Sequence, residues 1–139
     1  MAAFNKFQSF VEAVAEKTHN LGADVLKVML TNIAPVNTNT IKANLTDIAA
    51  GNGYTAGGGT PTISSSAQSA GTYKLVLADL VFTAAGGTIG PFRYATLYNS
   101  TAASSELIGW WDYGSAITLN DGETFTVDFD VTNGVLQLV

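Results

Sequence analysis

The chain has 139 residues, no cysteine and a net charge of −5 at pH 7. Its length predicts one domain. The absence of cysteine excludes disulfides, thiolate metal sites and cysteine nucleophiles, and the acidic balance argues against nucleic-acid binding through a basic patch. Only 12% of the residues are charged, against roughly 25% in a typical globular domain. A surface this poor in charge suits a protein whose faces are covered by neighbours in an assembly.

Although 47% of the residues are hydrophobic, no segment approaches the run of about 20 apolar residues that spans a membrane. The N-terminal sequence MAAFNKFQSF has no basic region followed by an apolar core, so no signal peptide is expected. We therefore expect a soluble protein that is made in a cytoplasm and does not bind a membrane.

Residues 5–19 have the spacing of one amphipathic helix. Its apolar stripe consists of Phe4, Phe7, Phe10, Val11 and Val14. Asn5 is in position to cap the first turn, and Gly22 is a suitable stop. The sequence thus predicts an N-terminal helical segment over 1–22, which packs across a sheet edge or reaches a neighbouring subunit.

Residues 24–31 have the pattern of a strand, and 41–48 fit either a short helix or a strand. The next segment, 49–69, consists mainly of glycine, serine, threonine and alanine. A loop of this length inside a compact domain is either functional or disordered. We predict a mobile Gly/Ser/Thr-rich loop or arm over 49–69, with a strand near 60–66 as the weaker alternative.

The stretch 72–98 predicts the centre of a β-sandwich. Side chains alternate from Tyr73 to Leu77, and the alternation slips by one position at 78–79. A bulge, or a corner where the strand changes sheets, would absorb that slip. After a turn at 84–87, a second strand rich in aromatic and β-branched residues follows.

Further strands are predicted at 106–113, 116–119, 123–131 and 135–139. Asn133–Gly134 is the favoured dipeptide of a two-residue type I′ hairpin, which would pair the last two of these strands. The predicted fold class is mainly β: one antiparallel, jelly-roll-like β-sandwich domain over 1–139 with one N-terminal amphipathic helix.

Neither the glycine-rich run nor the histidine predicts catalysis. The run at 49–60 lacks the Lys-Ser or Lys-Thr pair of a phosphate loop and does not lie between a strand and a helix. His19, the only histidine, falls at the predicted helix end, where a cation is favourable on its own. No nucleophile elbow accompanies it. We predict no catalytic residue and no cofactor.

Four carboxylates lie close together near the C-terminus: Asp121, Glu123, Asp128 and Asp130. Oxygen ligands suit calcium, but the spacing does not match an EF-hand loop. Alternating acids on a solvated strand face are ordinary, and they discourage edge-to-edge aggregation. The sequence therefore predicts no metal site, and a weak calcium site near Asp128 and Asp130 stays open as the alternative.

Aromatic residues supply the clearest surface signal. Neighbouring side chains of a strand point to opposite faces, so Trp110 and Trp111 cannot enter one core. Either Trp110 is exposed, or both faces of that strand are covered. An exposed aromatic ring serves a protein interface or stacks on a sugar, and the charge-poor surface favours the interface. Arg93 and Lys74 are lone cations in strands, assigned to an interface or to snorkelling. The interface candidates are Trp110, Trp111, Tyr113, Arg93, Phe7 and Tyr54.

Several runs of the sequence resemble small structural proteins of tailed-bacteriophage virions. The runs are GTYKLVLADLVFTAAGGTIGPFRYATLYN, LIGWWDYG, ITLNDGETFTVDF and the final NGVLQL, together with HNLGADVLKVMLTN and the AAGNGY loop. This resemblance covers nearly the whole chain. It implies a capsid decoration or cement protein, a jelly roll or β-tulip that binds the major capsid protein on the virion surface as a homotrimer. No catalytic motif belongs to that family, so no site residue follows from the resemblance.

Two other functions remain open from the sequence. One is a phage tail or fibre module that binds host-surface carbohydrate through Trp110, Trp111 or Tyr113. The other is a small hydrolase, which the absence of a nucleophile–base pair disfavours. In the decoration hypothesis, the helix and the 49–69 arm contact capsid or sister subunits while the sandwich projects outward.

Overall fold

The computed structural model describes residues 2–139, with 45% of the residues in strands and 7% in helix. In chain order the elements are β1 Phe4–Lys6, α1 Ser9–Ala15, β2 Leu26–Thr31, β3 Ile63–Ser69, β4 Thr72–Leu77, β5 Leu80–Thr83, β6 Ile89–Asn99, β7 Leu107–Leu119, β8 Thr124–Val127 and β9 Leu136–Leu138. A short 3₁₀ turn lies at Lys42–Asn44. Within the described range, no helix is long and apolar enough to cross a membrane.

The strands form three antiparallel sheets, in the orders β1–β7–β6–β2, β3–β4–β9 and β5–β8. The main hydrophobic core contains residues of all three sheets, so the two smaller sheets pack against one face of the four-stranded sheet in a sandwich-like arrangement. The prediction of a mainly β protein with antiparallel sheets and one short helix is confirmed. Jelly-roll connectivity is not confirmed by this strand order.

The four-stranded sheet carries side-chain clusters on both faces. Opposite the main core lies a second cluster, which consists of Phe7, Met29, Tyr98 and Leu107, with Leu45 and Trp110 packed against them. Adjacent residues of β7 therefore enter different clusters. The Trp110 ring lies 4.6 Å from that of Phe7, and the Trp111 ring 5.5 Å from that of Phe129. This corresponds to the alternative in which both faces of the tryptophan strand are covered.

The outer edge of β2 is covered by the glycine-rich loop. The Val28 N–H donates to the Gly59 carbonyl (2.8 Å), and the Gly59 N–H donates to the Val28 carbonyl (3.0 Å). The Leu30 N–H donates to the Tyr54 hydroxyl at 3.0 Å, and the Leu30 carbonyl accepts from the Ile48 N–H at 3.2 Å. Because Ile48 and the loop together satisfy these four backbone groups, β2 offers another strand no edge at these positions.

Three polar side chains hold this loop on the sheet. Asp47 accepts hydrogen bonds from the Tyr54 hydroxyl and from the Gly57 N–H, the latter at 2.7 Å. The Tyr98 hydroxyl donates to the Gly57 carbonyl at 2.6 Å. Burial, followed by the bond to Asp47, raises the pKa of Tyr54 well above its ordinary value, and burial raises the pKa of Tyr98 to about 12. Both phenols therefore stay protonated and keep donating at neutral pH.

The predicted helix over 5–19 was too long. Phe4–Lys6 is strand β1, which pairs antiparallel with β7. Its hydrogen bonds to the sheet replace those of a first helical turn, and a short helix without them is marginal. Residue 1 of the predicted segment 1–22 lies outside the described residues.

The predicted ends of the helix were also wrong. Asn5 lies within β1, and the residue that precedes the helix is Gln8, whose side chain makes no capping hydrogen bond. The helix ends at its C-cap, Glu16, well before Gly22. His19 consequently lies beyond the helix and not at its end.

The predicted arm at 49–69 is a packed loop followed by a strand. Tyr54 is buried within it, and Ile63–Ser69 forms β3, which pairs with β4. The weaker alternative, a strand near 60–66, was the better prediction. Since its loop covers β2 and its strand belongs to a sheet, this segment is part of the fold and not a dispensable arm.

The slip at 78–79 is a corner between sheets. β4 and β5 belong to different sheets, as the corner alternative predicted. The second strand predicted in 72–98 is β6, which pairs with β2 and β7. The centre of the four-stranded sheet is therefore the β6–β7 pair. In β7, the two strands predicted at 106–113 and 116–119 are one continuous strand.

The predicted hairpin at Asn133–Gly134 was wrong. β9 pairs with β4 and not with β8, which ends at Val127. A type I′ turn needs positive φ at both central residues, and only Gly134 has it, at 78°. The Asp130 carboxylate instead accepts from the Thr132 and Asn133 N–H groups, both at 2.8 Å, and closes a different turn.

Replacing Gly58 by alanine should destabilise the fold more than the same change at Gly71. The two glycines have similar positive φ values, 87° and 83°, so both variants carry left-handed strain of about 1 kcal/mol or more. A Cβ at Gly58 would also lie 1.8 Å from the Val28 carbonyl oxygen, whereas a Cβ at Gly71 would meet nothing within 4 Å. In urea unfolding we expect losses of roughly 3 kcal/mol for Gly58→Ala and roughly 1 kcal/mol for Gly71→Ala. Equal losses would contradict the role of this close approach.

Candidate functional site

A cleft lies where edge strands of two different sheets face one another. β1 is an edge of the four-stranded sheet, and β9 is an edge of the β3–β4–β9 sheet. The two strands do not pair with each other, and α1 lies beside both, so the three elements enclose a cavity. The cleft thus exists because β1 pairs with β7, whereas β9 pairs with β4.

One half of the cleft is apolar and has a volume of about 280 Å³. It is lined by Phe4, Lys6, Phe10, Val11, Val14, Leu136, Gln137 and Leu138. Two of the aliphatic side chains at this cavity stay accessible, since Val11 is 55% exposed and Leu138 is 40% exposed. Lys6 is the single charged residue of this half. Such a surface suits an apolar partner segment better than a polar small molecule.

The other half of the cleft, named the polar half because it has most of the polar side chains, has a volume of about 510 Å³. Its polar side chains are those of Lys17, Thr18, His19, Asn20, Asp24, Ser66, Tyr73 and Thr101. Val14 and Leu138 line both halves, which makes them one continuous cleft. The Ser66 and Tyr73 hydroxyls already bond to each other at 2.7 Å.

His19 lies in the wall of the polar half and is only 8% exposed. The Asn99 amide donates to its Nδ1 (3.0 Å) and to Asp24 Oδ2 (2.6 Å). Because Nδ1 accepts, the proton of the neutral ring is on Nε2. Nε2 is buried and has no hydrogen-bond partner among residues 2–139. The ring is therefore held by Asn99 and is not presented to a substrate.

Burial lowers the pKa of His19 below its ordinary value of 6.5, while the negative charges of Glu106 and Asp24 oppose that change. Since the imidazolium form is disfavoured in the fold, His19 is neutral at pH 7. The earlier interpretation of a cation at a helix end was wrong, because the ring is uncharged and lies in the coil after α1.

An exposed apolar loop follows β2. Ile33 is 60% exposed and Val36 is 54% exposed. The loop is held by its own hydrogen bonds: the Val36 N–H donates to Asn39 Oδ1, and the Asn39 N–H donates to the Val36 carbonyl, both at 2.8 Å. The Gln8 N–H also donates to the Asn37 carbonyl at 2.9 Å. Two aliphatic side chains are thus displayed on an ordered turn.

Three of the predicted interface residues are buried. Phe7, Tyr54 and Trp111 lie in the interior. Phe7 and Trp111 cover opposite faces of the four-stranded sheet, and Tyr54 supports the loop on β2. In this fold their side chains are enclosed by the clusters of the chain itself, and their assignment to an interface stays a prediction.

The other two predicted aromatic residues are partly exposed. Trp110 packs against Phe7, and Tyr113 meets the Phe125 ring edge-on at 4.9 Å. Burial raises the pKa of Tyr113 to about 12, with Asp128 adding to the effect. Trp110, Trp111 and Tyr113 do not form one exposed aromatic platform.

Arg93 is paired and is not a lone cation. Its Nε and Nη2 donate to the two carboxylate oxygens of Asp112 at 2.8 and 3.0 Å. The bond from Arg93 holds the pKa of the Asp112 carboxyl below its ordinary value. Lys74 donates to the Thr132 carbonyl at 3.2 Å. In the part of the chain that is described, Arg93–Asp112 is the only ion pair.

The C-terminal carboxylates take part in separate turns. Asp130 binds the turn that follows it, and the hydrogen bonds from Asn133 lower the pKa of its carboxyl most. Asp121 accepts from the Gly86 N–H, and Glu123 from the Asn120 N–H. Across residues 2–139 no group of three or more histidine, cysteine, aspartate or glutamate side chains is arranged to hold a metal ion.

No protein-family model, curated protein or solved structure matches this chain. The resemblance of its sequence to tailed-phage structural proteins therefore stays a prediction. The cleft was not found from the sequence; the sequence predicts a turn region over 32–39, but not that Ile33 and Val36 are exposed on it. The cleft is assembled from strands more than a hundred residues apart, and the loop carried one signal only, an uncharged run around Pro35 with two aliphatic residues.

Acidification should destabilise the protein through His19. The pKa of His19 is lowered by folding, so the unfolded chain takes up a proton first as the pH falls below about 6.5. The free energy of unfolding should therefore fall below pH 6.5, by at most about 1.4 kcal/mol per pH unit from this group, until the folded-state pKa is passed. Urea unfolding at pH 7.5 and 5.5 measures the difference, and His19→Gln keeps an acceptor for Asn99 without a titrating ring. An equal pH dependence in both proteins would contradict the assignment.

Proposed function

We propose that this protein is a structural component of a tailed-phage virion that binds the outside of the capsid lattice and stabilises it, without catalysing a reaction. The observation that supports this proposal most is the chemistry of the β3–β4–β9 sheet. Both of its edge strands, Ile63–Ser69 and Leu136–Leu138, contain no charged residue and no proline.

An uncharged sheet edge is unusual for a protein that works alone. Edge strands expose backbone N–H and C=O groups, and monomeric proteins protect them with charges, proline or a covering loop. The four-stranded sheet has such protection, since β2 lies under the glycine-rich loop and β1 contains Lys6. On the β3–β4–β9 sheet neither edge strand has a charge or a proline. β3 has a register shift at Ile63–Ser65 and β9 is three residues long, and an assembly that covers these edges completes their protection.

A closed capsid shell also explains how individually weak contacts hold the protein on the particle. With 12% charged residues, the protein offers a partner polar, aliphatic and backbone groups and few ion pairs. Many identical sites on one lattice let such contacts act together, because each bound neighbour raises the effective concentration of the next. The same composition argues against the alternative of a free enzyme. His19 is held by Asn99 and does not serve as an accessible base.

The carbohydrate-binding alternative has little support at the predicted residues. It requires exposed ring faces, and Trp111 is buried while Trp110 and Tyr113 pack against Phe7 and Phe125. We therefore retain decoration of the capsid as the proposed function.

The number of copies of this protein in purified virions decides between locations. Quantitative mass spectrometry against the major capsid protein should give a copy number comparable to that of the capsid protein. A few copies per particle would place the protein in the tail or neck. Its absence from the particles would overturn the proposal.

Charges on the β3 edge should weaken binding to the particle without unfolding the protein. Ser65 and Ala67 are exposed residues of β3, and the double change Ser65→Glu and Ala67→Glu adds two carboxylates to that strand. We expect binding to particles that lack the protein to fall about tenfold or more, since desolvating one charge costs at least about 1.4 kcal/mol. The double change Thr124→Glu and Thr126→Glu, at exposed sites of β8, adds the same charge elsewhere. Equal losses in both variants would mean that net charge, and not the β3 edge, governs binding.

A further inference from the structure

The side-chain amide that holds His19 has only one possible orientation. Asn99 is fully buried at the end of β6. Its Oδ1 accepts from the Thr101 N–H at 3.0 Å and from the Ala102 N–H at 3.2 Å. Its Nδ2 donates to Asp24 Oδ2 at 2.6 Å. A flipped amide would place its oxygen against a carboxylate and its NH₂ group against two N–H donors, so the NH₂ group has to face His19.

This orientation accepts the imidazole in one charge state only. The Asn99 NH₂ group lies 3.0 Å from His19 Nδ1, so Nδ1 has to be an acceptor. A proton on Nδ1 would bring two donors face to face. Nε2 is buried and has no hydrogen-bond partner among residues 2–139. An imidazolium in this position would therefore bury two N–H donors without acceptors, together with a charge, which is costly.

We infer that protonation of His19 expels its ring from the Asn99 contact into the polar half of the cleft, where the Asp24 carboxylate pairs with the imidazolium. The polar half of the cleft then differs in shape and in charge between neutral and acidic conditions. This device belongs to the fold itself and does not depend on the proposed place in a virion.

The polar half of the cleft is suited to receive the ring. His19 lies in its wall, beside about 510 Å³ of space, and Asp24 lines the same space. Asp24 accepts from the Asn20 N–H (2.8 Å) and from Asn99, both at Oδ2, so its other oxygen is left for a new donor. Residues 16–25, between α1 and β2, belong to no helix or strand. The coil can therefore adjust while Asn99 stays fixed in the sheet.

The charges around the ring set the direction of the change. From α1 the ring meets Phe10, an uncharged side chain, at 5.4 Å. Burial lowers the pKa of His19, and the negative charges of the two carboxylates oppose that effect. A ring in the cleft is less buried and still has a carboxylate beside it, so it binds a proton more tightly than the ring at Asn99. The titratable and charged groups that face His19 from its own coil, from the residue before β7 and from the walls of the cleft are Asp24, Glu106, Lys17 and Tyr73.

The displaced form should therefore become more populated as the pH falls. Below the ordinary histidine value of 6.5, its population relative to the Asn99-bound form should rise by up to about tenfold per pH unit. The rise ends when the pH passes the pKa of the ring that is still bound to Asn99.

Nuclear magnetic resonance of the ¹⁵N-labelled full chain, titrated from about pH 7.5 to about pH 5, tests this inference. At the upper pH the ring should be the Nε2–H tautomer. On acidification the nuclear Overhauser contact between the ring and the Asn99 amide should disappear. The Asn99 side-chain amide and the backbone amides of 18–24 should shift with the same midpoint, while the amides of the β6–β7 pair stay in place.

Three results of the titration would overturn the inference. One is an Nδ1–H tautomer at the upper pH. Another is a ring that titrates while it keeps its contact with Asn99. The third is loss of that contact only when the β6–β7 amides also lose their native signals, because His19 would then be released by global unfolding and not by a local switch. In His19→Gln, which keeps an acceptor for Asn99, the shifts of 18–24 should be absent, and their persistence would also contradict the inference.

A matched pair of variants tests the role of Asp24. Asp24→Asn and Glu106→Gln each remove one carboxylate that acts on His19. If the displaced ring pairs with Asp24, the proton affinity of His19 should fall about threefold more in Asp24→Asn than in Glu106→Gln. An equal or smaller loss in Asp24→Asn would contradict the pairing. Circular dichroism checks the folding of both, and if Asp24→Asn does not fold, a ring contact with the Asp24 Hβ protons in the acidified wild type decides instead, its absence overturning the inference.

Discussion

The fold depends on the contact between the glycine-rich loop and the outer edge of β2. Three backbone groups of Val28 and Leu30 bond to that loop and a fourth bonds to Ile48 just before it, and Gly58 lies against the Val28 carbonyl, where no Cβ would fit. Asp47, Tyr54 and Tyr98 hold the loop from the side through buried or partly buried hydrogen bonds. An open edge is thereby converted into a closed one within the chain itself, and the four-stranded sheet has no need of a partner there.

Because the β2 edge is covered within the chain, contacts with a partner are expected on other surfaces. With both faces of the central sheet carrying side-chain clusters, the large aromatic residues mostly serve the interior, and three of the six residues that first suggested an interface are buried. What stays accessible is of a different kind: the uncharged edges of the β3–β4–β9 sheet, the cleft between β1 and β9, and the aliphatic turn after β2. All three suit contact with protein, because they offer backbone groups and apolar surface with few charges.

The mispredicted elements share one cause. Helical spacing in 5–19 was real, but the residues Phe4–Lys6 pair with β7, and long-range hydrogen bonds prevail over a weak local preference. The Asn133–Gly134 turn was assigned from a dipeptide preference, yet Asp130 binds the N–H groups there and β9 pairs with β4. In each case a strand pairs with one that is distant in the sequence, and a local sequence pattern does not predict such pairing.

The sequence by itself determined the class of the protein: alternation and turn residues predict strands, and the low fraction of charged residues predicts surfaces that are covered. It also located the corner at 78–79, since a slip in alternation is a local event. Tertiary structure alone decided which strands pair, which aromatic residues are buried, and where the cleft and the aliphatic turn lie. The physical reason is that the alternation of apolar and polar side chains along the sequence shows only which residues share a face of a strand. What covers each face and each edge depends on residues brought together from distant parts of the chain.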